Sequence, residues 1–252
     1  MHNVLPVLCL VACLAVFALP ARSLPAVSSG VTTGFIDKTI SIGGDTLRYV
    51  VYVPPGYDPS TRWPTIVFLH GKGECGRDGA RQLSQGLGRA IMQNRDRWPC
   101  IVLFPQKPDP EKQWEEYDEY VMGALAATEL EYATDPRRTS LTGLSQGGHG
   151  TWMFAAKHPQ RWSAIAPICG YGDPAAIVPN VKGLPIRCYH GGADDVVKPE
   201  QSRRIVAALR EAGAAVDYTE YEGVNHNSWD RAYAEPDLAR WLIQATGSSG
   251  GR

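Results

Sequence analysis

Three kinds of residue in this 252-residue chain have types and spacing that could do chemistry: a serine framed by glycines, a histidine near the carboxyl end, and two aspartates between them. The serine stands in Gly143-Leu144-Ser145-Gln146-Gly147, a G-x-S-x-G pattern. Between a strand and a helix this pattern makes a sharp turn that holds the serine hydroxyl out at the edge of a sheet, and small residues two positions either side are what permit it. The plainer alternative is a glycine-rich loop whose serine caps the next helix. The strand-like stretch Thr139–Thr142 before the motif and the amphipathic stretch Gly147–Lys157 after it favour the turn. A serine hydroxyl is a weak nucleophile at neutral pH, so the chemistry also needs a histidine to take its proton and a carboxylate to orient that histidine. The acid can come from Cys188-Tyr189-His190-Gly191-Gly192-Ala193-Asp194-Asp195 and the base from Tyr221-Glu222-Gly223-Val224-Asn225-His226. Together these groups would carry out acyl transfer through a covalent intermediate, which calls for no metal and no organic cofactor.

Such residues must be brought together by strands and helices. Short β-branched runs at Thr65–Leu69, Cys100–Pro105, Thr139–Thr142, Ala164–Ile168, Ile186–Tyr189 and Val216–Tyr221 read as buried strands. Amphipathic stretches at Ala80–Asn94, Glu116–Ala133, Gly147–Lys157, Pro199–Ala212 and Arg231–Gln244 read as the helices between them. This alternation predicts an α/β fold with a mostly parallel sheet and helices on both faces. Ahead of it, Phe35–Ile42 and Thr46–Val53 alternate in polarity around Gly43-Gly44, the signature of an antiparallel hairpin. Only about 17 residues separate the strand ending near Ile168 from the one starting near Ile186, too few for a cap domain. An open site is expected.

With those motifs in place the chain resembles the α/β-hydrolase superfamily, in the branch of small lidless serine esterases that includes carboxylesterase/phospholipase-like and feruloyl-esterase-like enzymes. The resemblance implies that the H-G-x-x-D turn at His190–Asp194 supplies Asp194 as the orienting carboxylate, with Asp195 as the fallback, and that His226 is the base. It gives His190 a structural part in the acid turn. It also matches His70-Gly71-Lys72-Gly73 to the family's H-G-x-G loop, so that the backbone N–H groups of Lys72 and Gln146 would form the oxyanion hole. The implied activity is hydrolysis of short-chain, aromatic or carbohydrate-linked carboxylic esters. A peptidase of prolyl-oligopeptidase type shares the catalytic fold but has a large propeller that is missing here. A non-catalytic binding protein on the same fold would be expected to have lost one of the three residues. A long-chain lipase is disfavoured, since nothing here would cap an acyl chain.

Trp114, Trp152 and Trp229 fall in segments that this topology brings towards the site. Trp152 reads as core, whereas Trp114 and Trp229 are candidates for an aromatic substrate platform. His149 reads as a packed helix residue and His158 as a surface group. Lys plus Arg number 25 against 26 Asp plus Glu, so there is no basic excess for nucleic acid to meet. Oligomeric state is not legible.

At the amino end, Val4 to Leu19 is apolar apart from Pro6 and is followed by small residues. Residues 1–23 read as a secretory signal peptide, residues 24–34 as a linker, 35–246 as the catalytic domain and 247–252 as a flexible tail. At 16 residues the apolar run is short for a membrane span, which needs about 20. Leu10-Val11-Ala12-Cys13 resembles a bacterial lipobox and offers lipidation of Cys13 as a second route to a secreted or periplasmic protein. Removal of the signal leaves Cys75, Cys100, Cys169 and Cys188, with Cys75 and Cys169 the pair that could meet.

Overall fold

The computed structural model describes residues 1 and 30–246; the signal-like segment beyond Met1, Cys13 and the tail 247–252 lie outside the described residues. The chain first forms the hairpin of β1 (Gly34–Ile42) and β2 (Asp45–Val53), closed by Gly43 and Gly44 with φ of 58° and 85°. Two successive positive φ values are what a two-residue hairpin turn demands. β2 then pairs antiparallel with β4 (Ile101–Pro105), and from there every pairing is parallel. The remaining strands are β3 (Trp63–Leu69), β5 (Thr134–Leu144), β6 (Ile165–Ile168), β7 (Ile186–Gly191) and β8 (Val216–Tyr221). Their order across the sheet is β1-β2-β4-β3-β5-β6-β7-β8. The expected α/β architecture, parallel but for its first hairpin, is therefore present.

Alternate residues of each strand feed opposite cores. On β3, Val67 and Leu69 join one cluster and Ile66 and Phe68 the other. The first face is covered by α2 (Asp118–Glu131), α3 (Gln146–Lys157), α4 (Pro174–Val181) and α5 (Glu200–Glu211), through Val121, Phe154, Ile177 and Ile205. The second is covered by α1 (Leu87–Gln93), α6 (Trp229–Ala234) and α7 (Leu238–Gln244), through Leu87, Tyr233 and Leu242. The inner strands β3, β4 and β6 are buried on both faces and read as apolar runs, whereas β8, expected to be buried, lies at the sheet edge with only Val216 fully covered.

Two expected helices are shorter than their periodicity suggested. The stretch Ala80–Asn94 is a single 3-10 turn at Arg81–Leu83 followed by α1, interrupted at Gly86 with φ 60° and ψ −127°. A Cβ there would stand 2.5 Å from Leu144 Cδ2, so Gly86 brings the backbone tight against the residue before Ser145. The stretch Arg231–Gln244 is split into α6 and α7. Pro236 excludes the helical conformation at Glu235, whose ψ is 131°. A helix not expected from periodicity, α4, begins where Asp173 caps the N–H of Ala175 at 3.0 Å and Pro174 occupies the first turn. Cys75, Cys100, Cys169 and Cys188 are buried and free, so Cys75 and Cys169 are not joined.

Candidate active site

Ser145 sits between β5 and α3 with φ 56° and ψ −116°, a conformation that a non-glycine residue adopts at a cost. The surroundings hold it there. Its N–H donates to the Ile168 carbonyl at 3.0 Å, and α3 returns immediately over the strand ends. A Cβ on Gly147 would lie 1.9 Å from the Leu69 carbonyl oxygen, and one on Gly143 would lie 2.3 Å from the Gly147 carbonyl oxygen. Both glycines are thus required by close backbone approach.

The loops after β7 and β8 deliver the other two groups. His226 Nε2 is 2.9 Å from Ser145 Oγ, and His226 Nδ1 is 2.7 Å from Asp194 Oδ2. With the carboxylate accepting at Nδ1–H, Nε2 is left free to accept the serine proton. Asp194 has a fully buried side chain, and its Oδ1 accepts the N–H groups of Val196 at 3.0 Å and Val197 at 2.9 Å. Asp195 is exposed, and only its backbone N–H joins the loop, through Asn225 Oδ1 at 3.3 Å. The structure therefore brings Asp194, rather than the fallback Asp195, to His226. His190 lies behind Asp194 with Nδ1 2.7 Å from Ser202 Oγ and Nε2 2.8 Å from the Val197 carbonyl. Burial pushes its pKa down, so the ring braces the turn in its neutral form.

The loop after β3 packs against Ser145 from the other side: a methyl group on Gly71 would be 3.5 Å from Ser145 Cβ. His70 fixes this loop. Its Nε2 accepts the Lys107 N–H at 2.9 Å, which leaves Nδ1–H to donate to the Gly71 carbonyl at 2.7 Å. Complete burial lowers its pKa from 6.5 to about 3, so this neutral tautomer persists across the physiological range. Lys72 opens a 3-10 turn, Lys72–Glu74, and Gln146 opens α3. As first residues of their helices, their N–H groups have no intrahelical acceptor. The Lys72 ammonium is turned outward onto Glu111 at 2.9 Å, and Gln146 Nε2 donates to the carbonyls of Pro110 and Lys112, each at 3.2 Å.

The two tryptophans proposed as a platform separate. Trp114 is wholly buried, with its Nε1–H donating to the His70 carbonyl at 3.0 Å and its ring filling the space left by Gly150. It cannot meet a substrate; it supports the loop from beneath. Trp229 is partly exposed and stands edge-on to His226, with ring centroids 5.3 Å apart. Trp152 is core, as expected.

Sequence reasoning missed two neighbours. Tyr171 stacks on His149 at 4.5 Å, which in turn pairs with Glu115 at 2.9 Å. Cys169, a non-glycine residue at φ 40°, lies beside Asp194 and His226. Its thiol, Asp194 and His226 offer three donor atoms within 4.8 Å of one another, the geometry a small cation would need. Asp194 and His226 are already engaged with each other, and burial pushes the Cys169 thiol well up, so the cluster is ill suited to a metal. Only the Cys-Gly dipeptide at the end of β6 hinted at the strained turn.

A family model described as "Putative esterase" matches residues 41–242. The chain belongs to this esterase family. A thermostable esterase of known structure is 33% identical with a TM-score of 0.77, the match covering 84% of this chain and 63% of that one. A feruloyl esterase module from Clostridium thermocellum shares the fold, with a TM-score of 0.64 at 17% identity over 83% of this chain and 85% of that one. The eight-stranded sheet is thus an α/β-hydrolase sheet. An uncharacterized secreted protein of Arthroderma benhamiae is 25% identical over 237 residues, 75% of this chain and 24% of its own length. This esterase-family chain spans about a quarter of that curated relative and less than two thirds of the thermostable esterase chain.

Proposed function

We propose that the chain is a serine hydrolase acting on carboxylic esters, with Ser145 as nucleophile, His226 as general base and acid, and Asp194 as the orienting carboxylate. The observation that carries this reading is the continuous series of short contacts, 2.9 Å from Ser145 Oγ to His226 Nε2 and 2.7 Å from Nδ1 to a buried Asp194. Ser145 Oγ attacks the ester carbonyl while Nε2 takes its proton. Negative charge gathering on the carbonyl oxygen is met by the N–H groups of Lys72 and Gln146, each such donor contributing about 3 kcal/mol to the transition state. His226 returns the proton to the departing alcohol, leaving Ser145 acylated. Water, deprotonated by the same imidazole, then releases the acid and restores the serine. Every atom of this cycle is supplied by the chain, the ester and water.

The substrates proposed are short-chain, aromatic or carbohydrate-linked esters, in keeping with family membership and with α4 alone intervening between β6 and β7. Export is part of the same proposal, supported by the apolar run Val4 to Leu19 and by a relative described as secreted. Among the described residues no helix is long and apolar enough to cross a membrane. The catalytic unit is proposed to be residues 35–246. Ser145→Ala tests the reading: it should keep the wild-type melting temperature and lose turnover of p-nitrophenyl acetate by at least about 10⁴-fold. Undiminished turnover would remove the assignment.

A further inference from the structure

A cleft of about 290 Å³ opens between α1 and α6, and two of its walls are continuous with the catalytic groups. Trp229, which lines it, is the ring set edge-on to His226. Gly86, which also lines it, presses on Leu144, the residue before Ser145. The cleft is thus one ring removed from the base and one residue removed from the nucleophile.

Its polar lining is weighted towards donors. Arg89, Gln93, Asn94 and Arg97 face Asp230 as the single carboxylate. Neither guanidinium has a carboxylate within ion-pair distance among the described residues. Arg97 donates to the carbonyls of Ala234 and Glu235, which fixes its position without neutralising its charge. The indole Nε1 of Trp229 is closed to solvent, so this residue offers the cleft its ring and not its N–H. The position of the cleft also says which part of an ester would enter it. His226 must hand its proton to the departing oxygen, so the alcohol portion lies on the imidazole side, next to Trp229.

We infer that this cleft is a subsite for an ester whose alcohol portion carries a carboxylate, with the ring of Trp229 as its wall and Arg89 and Arg97 as the anion-binding groups. The inference rests on the esterase reading for its link to turnover, though not for binding. Two acetate esters with the same skeleton separate the effects: 4-acetoxybenzoate, which is anionic, and its neutral methyl ester. The ratio of kcat/KM for the first over the second is compared between wild type and variants, so that differences in intrinsic reactivity cancel. Arg89→Gln should lower this ratio roughly tenfold, the scale of one charge-assisted contact. Arg97→Gln should lower it by a smaller factor, since that guanidinium also serves the carbonyls of Ala234 and Glu235. A ratio unmoved in both variants overturns the subsite. If wild type hydrolyses neither ester, the esterase reading fails on its own, and calorimetry with 4-hydroxybenzoate decides the subsite independently. Binding by wild type that weakens roughly tenfold in Arg89→Gln supports it; absence of binding, or equal binding by both proteins, overturns it.

Discussion

Two imidazoles lie close to Ser145, each paired with a carboxylate: His226 with Asp194 at 2.7 Å and His149, four residues along α3, with Glu115 at 2.9 Å. Only the first has a free end. His226 spends Nδ1 on a fully buried carboxylate and aims Nε2 at a hydroxyl that can lose a proton. His149 spends both nitrogens on the fold, Nε2 on Glu115 and Nδ1 on the Tyr171 carbonyl at 2.9 Å, while the Tyr171 ring covers its face. Both nitrogens are thus engaged by groups of the fold, and neither is directed at a hydroxyl. An imidazole beside a carboxylate is therefore not enough to make a base; what counts is an unoccupied nitrogen directed at a reacting atom.

The largest expected effect tests that contrast directly. His226→Ala should lower kcat for p-nitrophenyl acetate by at least about 10⁴-fold, and Asp194→Asn, which leaves the wrong tautomer, by about as much. His149→Ala should cost less than about tenfold in kcat and show itself instead in the melting temperature. Comparable losses at both histidines would break the distinction. Next in size is the backbone that holds the turn. Gly147→Ala places a Cβ 1.9 Å from the Leu69 oxygen, and differential scanning calorimetry should show a loss of at least about 1–3 kcal/mol with activity falling alongside.

Trp114 sharpens the comparison from the side of the His70–Gly73 loop, the proposed oxyanion loop. Because its indole N–H holds the His70 carbonyl, Trp114→Phe should cost about 1–3 kcal/mol of stability in a denaturant titration and lower kcat without raising KM. A rise in KM alone would return Trp114 to a substrate-binding part. The smallest effect concerns Glu115. Burial raises its pKa, but the hydrogen bond and charge of His149 more than offset this, and the net value lies below the ordinary 4.5. A carboxyl depressed in the fold contributes stability that is present above its unfolded pKa and is lost as pH falls through its folded one. Glu115→Gln should therefore flatten the fall in melting temperature below about pH 4.5 while leaving the activity profile near neutrality unmoved. An acid limb identical to wild type would mean that the pair adds nothing to stability.

How much of this was legible in the chain depends on how local each cause is. The strand-turn-helix around Ser145 is visible because Gly143 and Gly147 are demanded by contacts within one turn and an adjacent strand. Asp194 and His226 follow because they stand directly after β7 and β8, where a parallel sheet collects its loops at one edge. The break at Gly86 and the split at Pro236 are local events that a periodicity count overrides. Trp114 was misread for a different reason. Whether a loop tryptophan faces solvent or core depends on the gap left by Gly150 and on the carbonyl of His70, both distant in sequence. The same holds for Glu115 and His149, which are 34 residues apart in the chain. Cys169 shows the limit most plainly, since only the glycine that follows it hints at a φ of 40° beside Asp194 and His226.

The measurement that bears most directly on the central claim is covalent labelling with a fluorophosphonate, read by peptide mass spectrometry in wild type, His226→Ala and His149→Ala. The account predicts one adduct, on Ser145, formed by wild type and His149→Ala and suppressed in a folded His226→Ala protein. Adduct formation at another residue, or labelling of Ser145 that is indifferent to His226, would contradict it.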